Sequence, residues 1–363
     1  MKRFYLNILL FFILITLASC GRTSYKYYRY EYNGYLDTVG YIIVEYDQNK
    51  YTTKEIDDIF KKSEDVLLNV EKEFSIEQTP YMKASGIEKS TLMIINENSG
   101  KNLHVLVSED FFEVLKLAKD MYTHTEGLFD VSVGSLTTLW QISKKAEYCM
   151  NDLESLEYLC GIPSDEEIQT AKDLVNYEEI QVDEEAKTVS LGKEGMMLDF
   201  GAIGKGYAVE KLAKYLSNYD FSYTIINMGG NIKTVGLPNS STSPLKIYVK
   251  NPFEEGNIGY YYPKTNTGGV TSGIYERYIH YQGVKYHHIL NPKTGYPCSD
   301  DVVSVTIMGN NSAIADALST SVFMLGVDKG LELINSLIGY EAVIITKEKE
   351  VYVSNNLDFI QEK

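Results

Sequence analysis

Between residues 54 and 74 the apolar side chains Ile56, Ile59, Phe60, Val66, Leu67, Val70 and Phe74 recur among runs of Lys, Asp and Glu. Such spacing lays one greasy stripe along a helix and predicts an amphipathic helix with that stripe inward. The same periodicity predicts a second helix over 109–123 with Ser108 as its N-cap, and a third over 166–174, capped by Ser164 or Asp165 behind Pro163. Residues 178–191 read as a hairpin turning at 183–187. A helix ending at Leu216 carries Ala208, Leu212, Tyr215 and Leu216 on its apolar side. Short strands are predicted at 223–227, 245–250, 268–271, 275–281 and 302–308, then a helix over 312–325 and a terminal hairpin over 342–354. Helices and strands interleave without the regular alternation of βαβ winding, so the predicted class is α+β, with mixed sheets and packed helices.

The N-terminus departs from this pattern. Lys2 and Arg3 precede an apolar stretch over 4–17 that ends in Leu17-Ala18-Ser19-Cys20. A basic start, a short apolar core and small residues describe a signal peptide over 1–19, too short for a spanning helix. Cysteine directly after Leu-Ala-Ser resembles a bacterial lipobox. That resemblance implies a lipid on Cys20 and a protein held on the extracytoplasmic face of the cell membrane. The alternative is a plain secretory signal with a chance cysteine. Residues 20–35, Tyr-rich and polar, read as the lipidated cysteine and a tether. Residues 36–358 then form one large two-lobed domain, longer than a single compact core usually reaches.

Net charge is -16, and cleavage after Ser19 removes two cations and no acid, leaving -18. Bulk charge therefore excludes nucleic acid as a partner, and an anionic ligand needs a local site or a metal. Apart from Cys20 the cysteines are Cys149, Cys160 and Cys298. No Cys-x-x-Cys occurs, which removes a common zinc or redox pattern, and pairing of Cys149 with Cys160 is left open.

Candidate chemistry gathers in three places. Asp199-Phe-Gly-Ala-Ile-Gly-Lys-Gly-Tyr207 sets an acid, three glycines and Lys205 ahead of a helix. Glycines let backbone N–H groups approach a phosphate, and the helix presents its positive end. The spacing is neither the dinucleotide fingerprint nor a P-loop, and an ordinary strand-to-helix turn is the alternative reading. Asp316 and Thr320 stand four apart on a helix and share a face, an oxygen pair suited to Mg²⁺ or Ca²⁺. An Asp at the surface with a Thr bonded to its own helix is the alternative. Within Tyr286-His-His-Ile-Leu-Asn-Pro-Lys-Thr-Gly-Tyr-Pro297, one histidine is a candidate general base; neighbouring strand positions face opposite ways, so only one looks into a site.

Six segments occur in an order that resembles the ApbE-type flavin transferases: Gly127-Leu-Phe-Asp-Val-Ser-Val-Gly134 with Leu139-Trp140, Leu198 to Gly206, Ile226-Asn-Met-Gly-Gly-Asn231, Thr271-Ser-Gly273, the His-His-Ile-Leu-Asn-Pro run, and Ala315-Asp-Ala-Leu-Ser-Thr320. Members of that family are FAD:protein FMN transferases, often lipoproteins. The resemblance implies FAD contacts at Val39, Ser132, Val133, Gly134, Asp199, Lys205 and Leu290, and His288 as the base acting with Lys205. It implies a Mg²⁺ site (Ca²⁺ or Mn²⁺ as substitutes) from the Ala202 carbonyl, Asp316 and Thr320. It further implies transfer of FMN from FAD to a threonine hydroxyl of an exported or membrane flavoprotein acceptor, with AMP leaving. Hydrolysis of FAD to FMN and AMP, or FAD binding without catalysis, are the alternatives. Two departures stand out. Phe74-Ser-Ile-Glu77 puts an acid where the family carries a tyrosine over the flavin, with Tyr81 the candidate replacement, and Val39 stands where a methionine is frequent.

Overall fold

A computed structural model describes residues 24–149, 160–239, 244–299 and 301–362. The expected signal peptide over 1–19 and the expected lipidation at Cys20 lie outside the described residues. Strand β1 (Tyr25–Asn33) pairs antiparallel with β2 (Val39–Asp47), from Tyr25 opposite Asp47 to Asn33 opposite Val39. This corrects the expected tether over 20–35, because the folded unit begins at β1. Tyr28, Tyr30 and Tyr32 alternate with exposed neighbours, and their hydroxyls reach Asp57, Glu64 and Ser63. What looks like polar low periodicity is a period-two strand whose inward side chains are tyrosines, each apolar in the ring and satisfied at the tip.

Helix α1 (Thr53–Phe74) carries those three partners and opens on a reciprocal cap between Thr52 and Glu55. Short helices α2 (Pro80–Ala84) and α3 (Thr91–Glu97) follow, then β3 (Val105–Leu106) and α4 (Glu109–His124), capped by Ser108 as expected. Helices α5 (Gly134–Trp140), α6 (Ile142–Cys149) and α7 (Asp165–Lys172) make a small lobe, and Ser164 rather than Asp165 caps α7. Strands β4 (Ile180–Asp183) and β5 (Thr188–Leu191) form the expected hairpin, and α8 (Gly204–Leu216) leads into β6 (Tyr223–Met228) and β7 (Asn231–Gly236). Strands β8 (Ile247–Lys250), β9 (Asn257–Tyr261), β10 (Gly268–Gly273), β11 (Tyr278–Tyr281), β12 (Val284–His287) and β13 (Val302–Gly309) precede α9 (Ser312–Ser336). The chain closes with β14 (Tyr340–Thr346), β15 (Val351–Val353) and β16 (Phe359–Gln361).

Eight strands form one antiparallel sheet in the order β1-β2-β6-β7-β10-β13-β14-β15, and the class is α+β as expected. Strand β13 is buried at every position, Ser304 and Thr306 included. Helices α1, α8 and α9 pack on this sheet around the main core. The expected end of the last helix at residue 325 coincides with a break at Gly326, which adopts φ 78° and then lets α9 resume to Ser336. A second core joins Leu136, Trp140, Ile142, Ile168, Ile279 and Leu290 under α5 to α7. There Cys149 and Cys160 are joined by a disulfide, which closes the question left by the sequence. Cys298 is free, and burial pushes its thiol up to about 12. Among the described residues no helix is long and apolar enough to cross a membrane.

Candidate active site

The loop before α8 lies against the segment that opens α5. Asp199 N–H donates to the Val131 carbonyl at 2.8 Å, and Gly134 N–H to the Met197 carbonyl at 3.1 Å. A Cβ at Gly134 would sit 2.7 Å from that Met197 oxygen, so only glycine permits the approach. Ser132 is fully buried, and its N–H and hydroxyl both donate to Asp130 Oδ1, at 2.8 and 2.7 Å. The Ser132 hydroxyl and the N–H groups of Ser132, Val133 and Gly134 are thus all taken by partners within the chain, which fixes the shape of this segment. Asp199 is held from two sides: Oδ1 accepts from Gly201 N–H and Oδ2 from the Thr137 hydroxyl, each at 2.7 Å. Thr137 carried no motif signal; its contact with Asp199 arises only where α5 meets the loop.

Lys205 and Gly206 begin α8, and there α8 meets α9. Gly206 N–H donates to Asp316 Oδ2 at 2.8 Å, and a Cβ on Gly206 would stand 2.1 Å from the Ser312 carbonyl oxygen. Asp316 is 3% exposed. Burial raises its pKa, while the Lys205 charge, the Gly206 N–H and the Asn231 amide oppose that rise by favouring the carboxylate. Asn231 is itself buried, and its side-chain oxygen has no hydrogen-bond partner. Thr320 stands one turn on, its hydroxyl 3.4 Å from that of Ser272, which also reaches Ser319 at 2.7 Å. Ala202 sits half-buried in the turn that enters α8.

The two histidines make different contacts. His287 Nε2 lies 3.0 Å from the Cys298 carbonyl and its Nδ1 accepts from Ile289 N–H at 3.3 Å, so both ring nitrogens brace the turn. His288 Nδ1 lies 3.0 Å from the Arg277 carbonyl, which only accepts; the proton is therefore on Nδ1 and Nε2 keeps a free lone pair. Burial, opposed by that hydrogen bond and reinforced by Arg277, His287 and Lys205, pushes the imidazole down to about 3. The Lys205 charge acts on His288 and on Asp316 alike, and Gly206 joins the glycine loop directly to the late helix.

Val39 is 64% exposed at the end of β2, where its carbonyl accepts from Gly229 N–H at 3.2 Å. The Arg277 guanidinium donates to the nearby Asp37 carbonyl at 3.0 Å, which ties this edge to the residue that holds His288. Leu290 is buried in the second core beside Leu136 and Trp140, so it supports the site as a packed wall. Tyr81 stacks on Tyr35 with ring centroids 3.8 Å apart and its hydroxyl bonds the Asn33 carbonyl, which leaves it one free face at most. Glu77 is exposed and paired with Lys144 of α6 at 2.8 Å.

The oxygens around Asp316 fit a hard cation. A buried carboxylate stands beside a hydroxyl and an orphaned amide oxygen, and among the described residues no three His, Cys, Asp or Glu side chains gather at one point. Such a set, one charge with neutral oxygens, matches Mg²⁺ or Ca²⁺ rather than zinc.

The profile of the ApbE family matches residues 42–344, and the chain belongs to that family. It is 31% identical over 271 residues to an FAD:protein FMN transferase of Klebsiella pneumoniae, covering 74% of this chain and 78% of that one. It is 27% identical to the FAD:protein FMN transferase of Treponema pallidum, over 77% of each chain. Among solved structures, the ApbE protein of Thermotoga maritima superposes with a TM-score of 0.74 at 28% identity, covering 91% of this chain and 97% of that one. The flavin transferase ApbE of Vibrio cholerae shares the fold, with a TM-score of 0.74 at 23% identity over 91% and 98% of the two chains.

Proposed function

We propose that this chain transfers the FMN moiety of FAD to a threonine hydroxyl of an acceptor protein and releases AMP. The observation that carries this reading is the bond from Gly206 N–H in the glycine loop to the buried Asp316 carboxylate at 2.8 Å, with the Lys205 charge within range of both Asp316 and His288. Family membership and transferase relatives support it. In this reading the segment Ser132 to Gly134, together with Asp199, Val39 and the Leu290 wall, lines the pocket that orients FAD. Lys205 sets a positive charge against its pyrophosphate. The Ala202 carbonyl, Asp316 and Thr320 would hold Mg²⁺, which when bound neutralises charge on the pyrophosphate. The threonine oxygen bonds to the FMN phosphorus as the bond from that phosphorus to the bridging oxygen breaks, and AMP leaves with that oxygen. The hydroxyl proton passes to His288 Nε2, whose lone pair is left open by the bond from Nδ1 to the Arg277 carbonyl.

The lipobox places the protein, in the same reading, on the extracytoplasmic face of the membrane through Cys20. Its acceptor is then an exported or membrane flavoprotein. The test mixes the domain from Gly21 onward with FAD, Mg²⁺ and a candidate acceptor domain, and follows AMP release together with the acceptor's intact mass. AMP with an acceptor heavier by one FMN supports transfer. AMP with free FMN and an unmodified acceptor supports hydrolysis, and bound FAD without AMP overturns the catalytic reading.

A further inference from the structure

The end of α9 that carries Asp316 is seated by two charged residues outside the site motifs. We propose that Glu210 and Lys233 are positioning residues that set how Asp316 and Thr320 stand beneath the Asp199–Lys205 loop. This rests on the cation reading above.

Helices α8 and α9 are joined at two levels. At the first, Gly206 N–H donates to Asp316 Oδ2 at 2.8 Å, with Gly206 pressed against the Ser312 carbonyl. At the second, Glu210 Oε1 accepts from Ser312 N–H at 2.5 Å and from Lys233 Nζ at 2.6 Å. Lys233 also donates to the Asn310 carbonyl at 2.8 Å. The steps from Gly206 to Glu210 and from Ser312 to Asp316 are each about one helical turn. A single tie would leave a pivot; two ties a turn apart hold both the axial position and the rotation of α9. Lys233 lies on β7 and Asn310 directly after β13, so the same ammonium fastens the helix pair to the sheet.

Capping accounts for the rest. Asn311 Oδ1 accepts from Ala313 N–H and Ile314 N–H at 2.9 and 3.1 Å, and Glu210 takes the remaining first-turn donor, Ser312. The Lys233 side chain is only 7% exposed and that of Glu210 24%. An ion pair this sheltered is often no more stabilising than apolar side chains of similar size, so its use here is registry of the two helices.

That distinction makes the test. Lys233→Met replaces the ammonium with an apolar chain of similar length. The experiment measures thermal stability and the Mg²⁺ concentration that half-saturates FAD binding, in wild type, Lys233→Met, Lys233→Arg and Glu210→Gln. The expected result is a folded Lys233→Met whose half-saturating Mg²⁺ rises about tenfold to a hundredfold, as for groups that orient metal ligands. Lys233→Arg is expected to recover most of the loss, and Glu210→Gln to show an intermediate rise. Folded variants with unchanged Mg²⁺ dependence overturn the proposal while leaving the cation reading intact. Wild-type FAD binding that does not respond to Mg²⁺ overturns both. Should Lys233→Met fail to fold, Glu210→Gln decides by the same criterion.

Discussion

The two sides of the site are built by opposite means. The α8–α9 side is made of glycines, backbone N–H groups and buried charge: Gly206 against Ser312, its N–H on Asp316, and Glu210 on Ser312 and Lys233. The opposite side is a lobe of large apolar side chains, Leu136, Trp140, Ile142 and Leu290, closed by the Cys149–Cys160 disulfide, with the Trp140 indole donating to the Gly295 carbonyl at 2.8 Å. Polar ties are directional and have few alternatives, so they hold atoms to a fraction of an ångström. Apolar packing tolerates exchange of side chains at roughly constant volume. Groups that must meet a phosphate belong on the first side, and a wall that shapes the pocket belongs on the second.

That contrast is tested most sharply by removing the buried carboxylate. Asp316→Ala is expected to lower AMP release by about 10³-fold or more, without recovery in excess Mg²⁺. Wild-type turnover in that variant would show that the α8–α9 side holds no cation. His288→Ala is expected to retain FAD binding and lower AMP release by about 10²-fold, measured at saturating FAD. Unchanged kinetics would leave Nε2 without a role.

His288 also carries a pH signature. Its folded pKa is about 3 against an unfolded 6.5. The unfolded chain therefore binds the extra proton first, and stability falls as pH drops from 6.5 toward 3 and is level above that window. Denaturation of His288→Ala between those limits is expected to show a shallower acid slope than wild type. Equal slopes would mean that the ring is more freely hydrated than its packing indicates.

The smallest effect on chemistry is expected from the lobe. The bond between Cys149 and Cys160 closes a short loop, and the Cys149→Ser, Cys160→Ser pair is expected to lose about 2–3 kcal/mol of stability. Its half-saturating Mg²⁺ is expected to stay within about twofold of wild type, because the ties among Gly206, Glu210, Lys233, Ser312 and Asp316 do not run through the disulfide. A larger change would erase the division between the two sides.

The same division explains what could be read in advance. Asp199, Lys205, His288, Asp316 and Thr320 stand in short runs whose order along the chain resembles one family. The helices capped by Thr52, Ser108 and Ser164 follow from local periodicity and local hydrogen bonds. Strand β1 was hidden because its tyrosines stand among Lys26, Arg29 and Glu31 with no aliphatic residue, and only packing shows that Tyr28, Tyr30 and Tyr32 turn apolar rings inward with satisfied hydroxyls. Helix α5 opens on Val133 with no side-chain cap to mark its start, whereas the similarly short α7 is announced by Ser164 and Glu167.

By itself the amino-acid sequence determined the α+β class, the principal helices and the short motifs that mark the family, because each rests on spacing within one segment. Only the tertiary structure decided that Thr137 orients Asp199, that Cys149 meets Cys160, that Nε2 of His288 is the free nitrogen, and that Glu210 and Lys233 seat α9. Most of these join residues tens of positions apart, and even the closest, the Cys149–Cys160 bridge and the His288–Arg277 bond, leave the pairing or the free atom unstated in the chain. Local pattern says what each segment prefers, and the packed core decides which atoms meet.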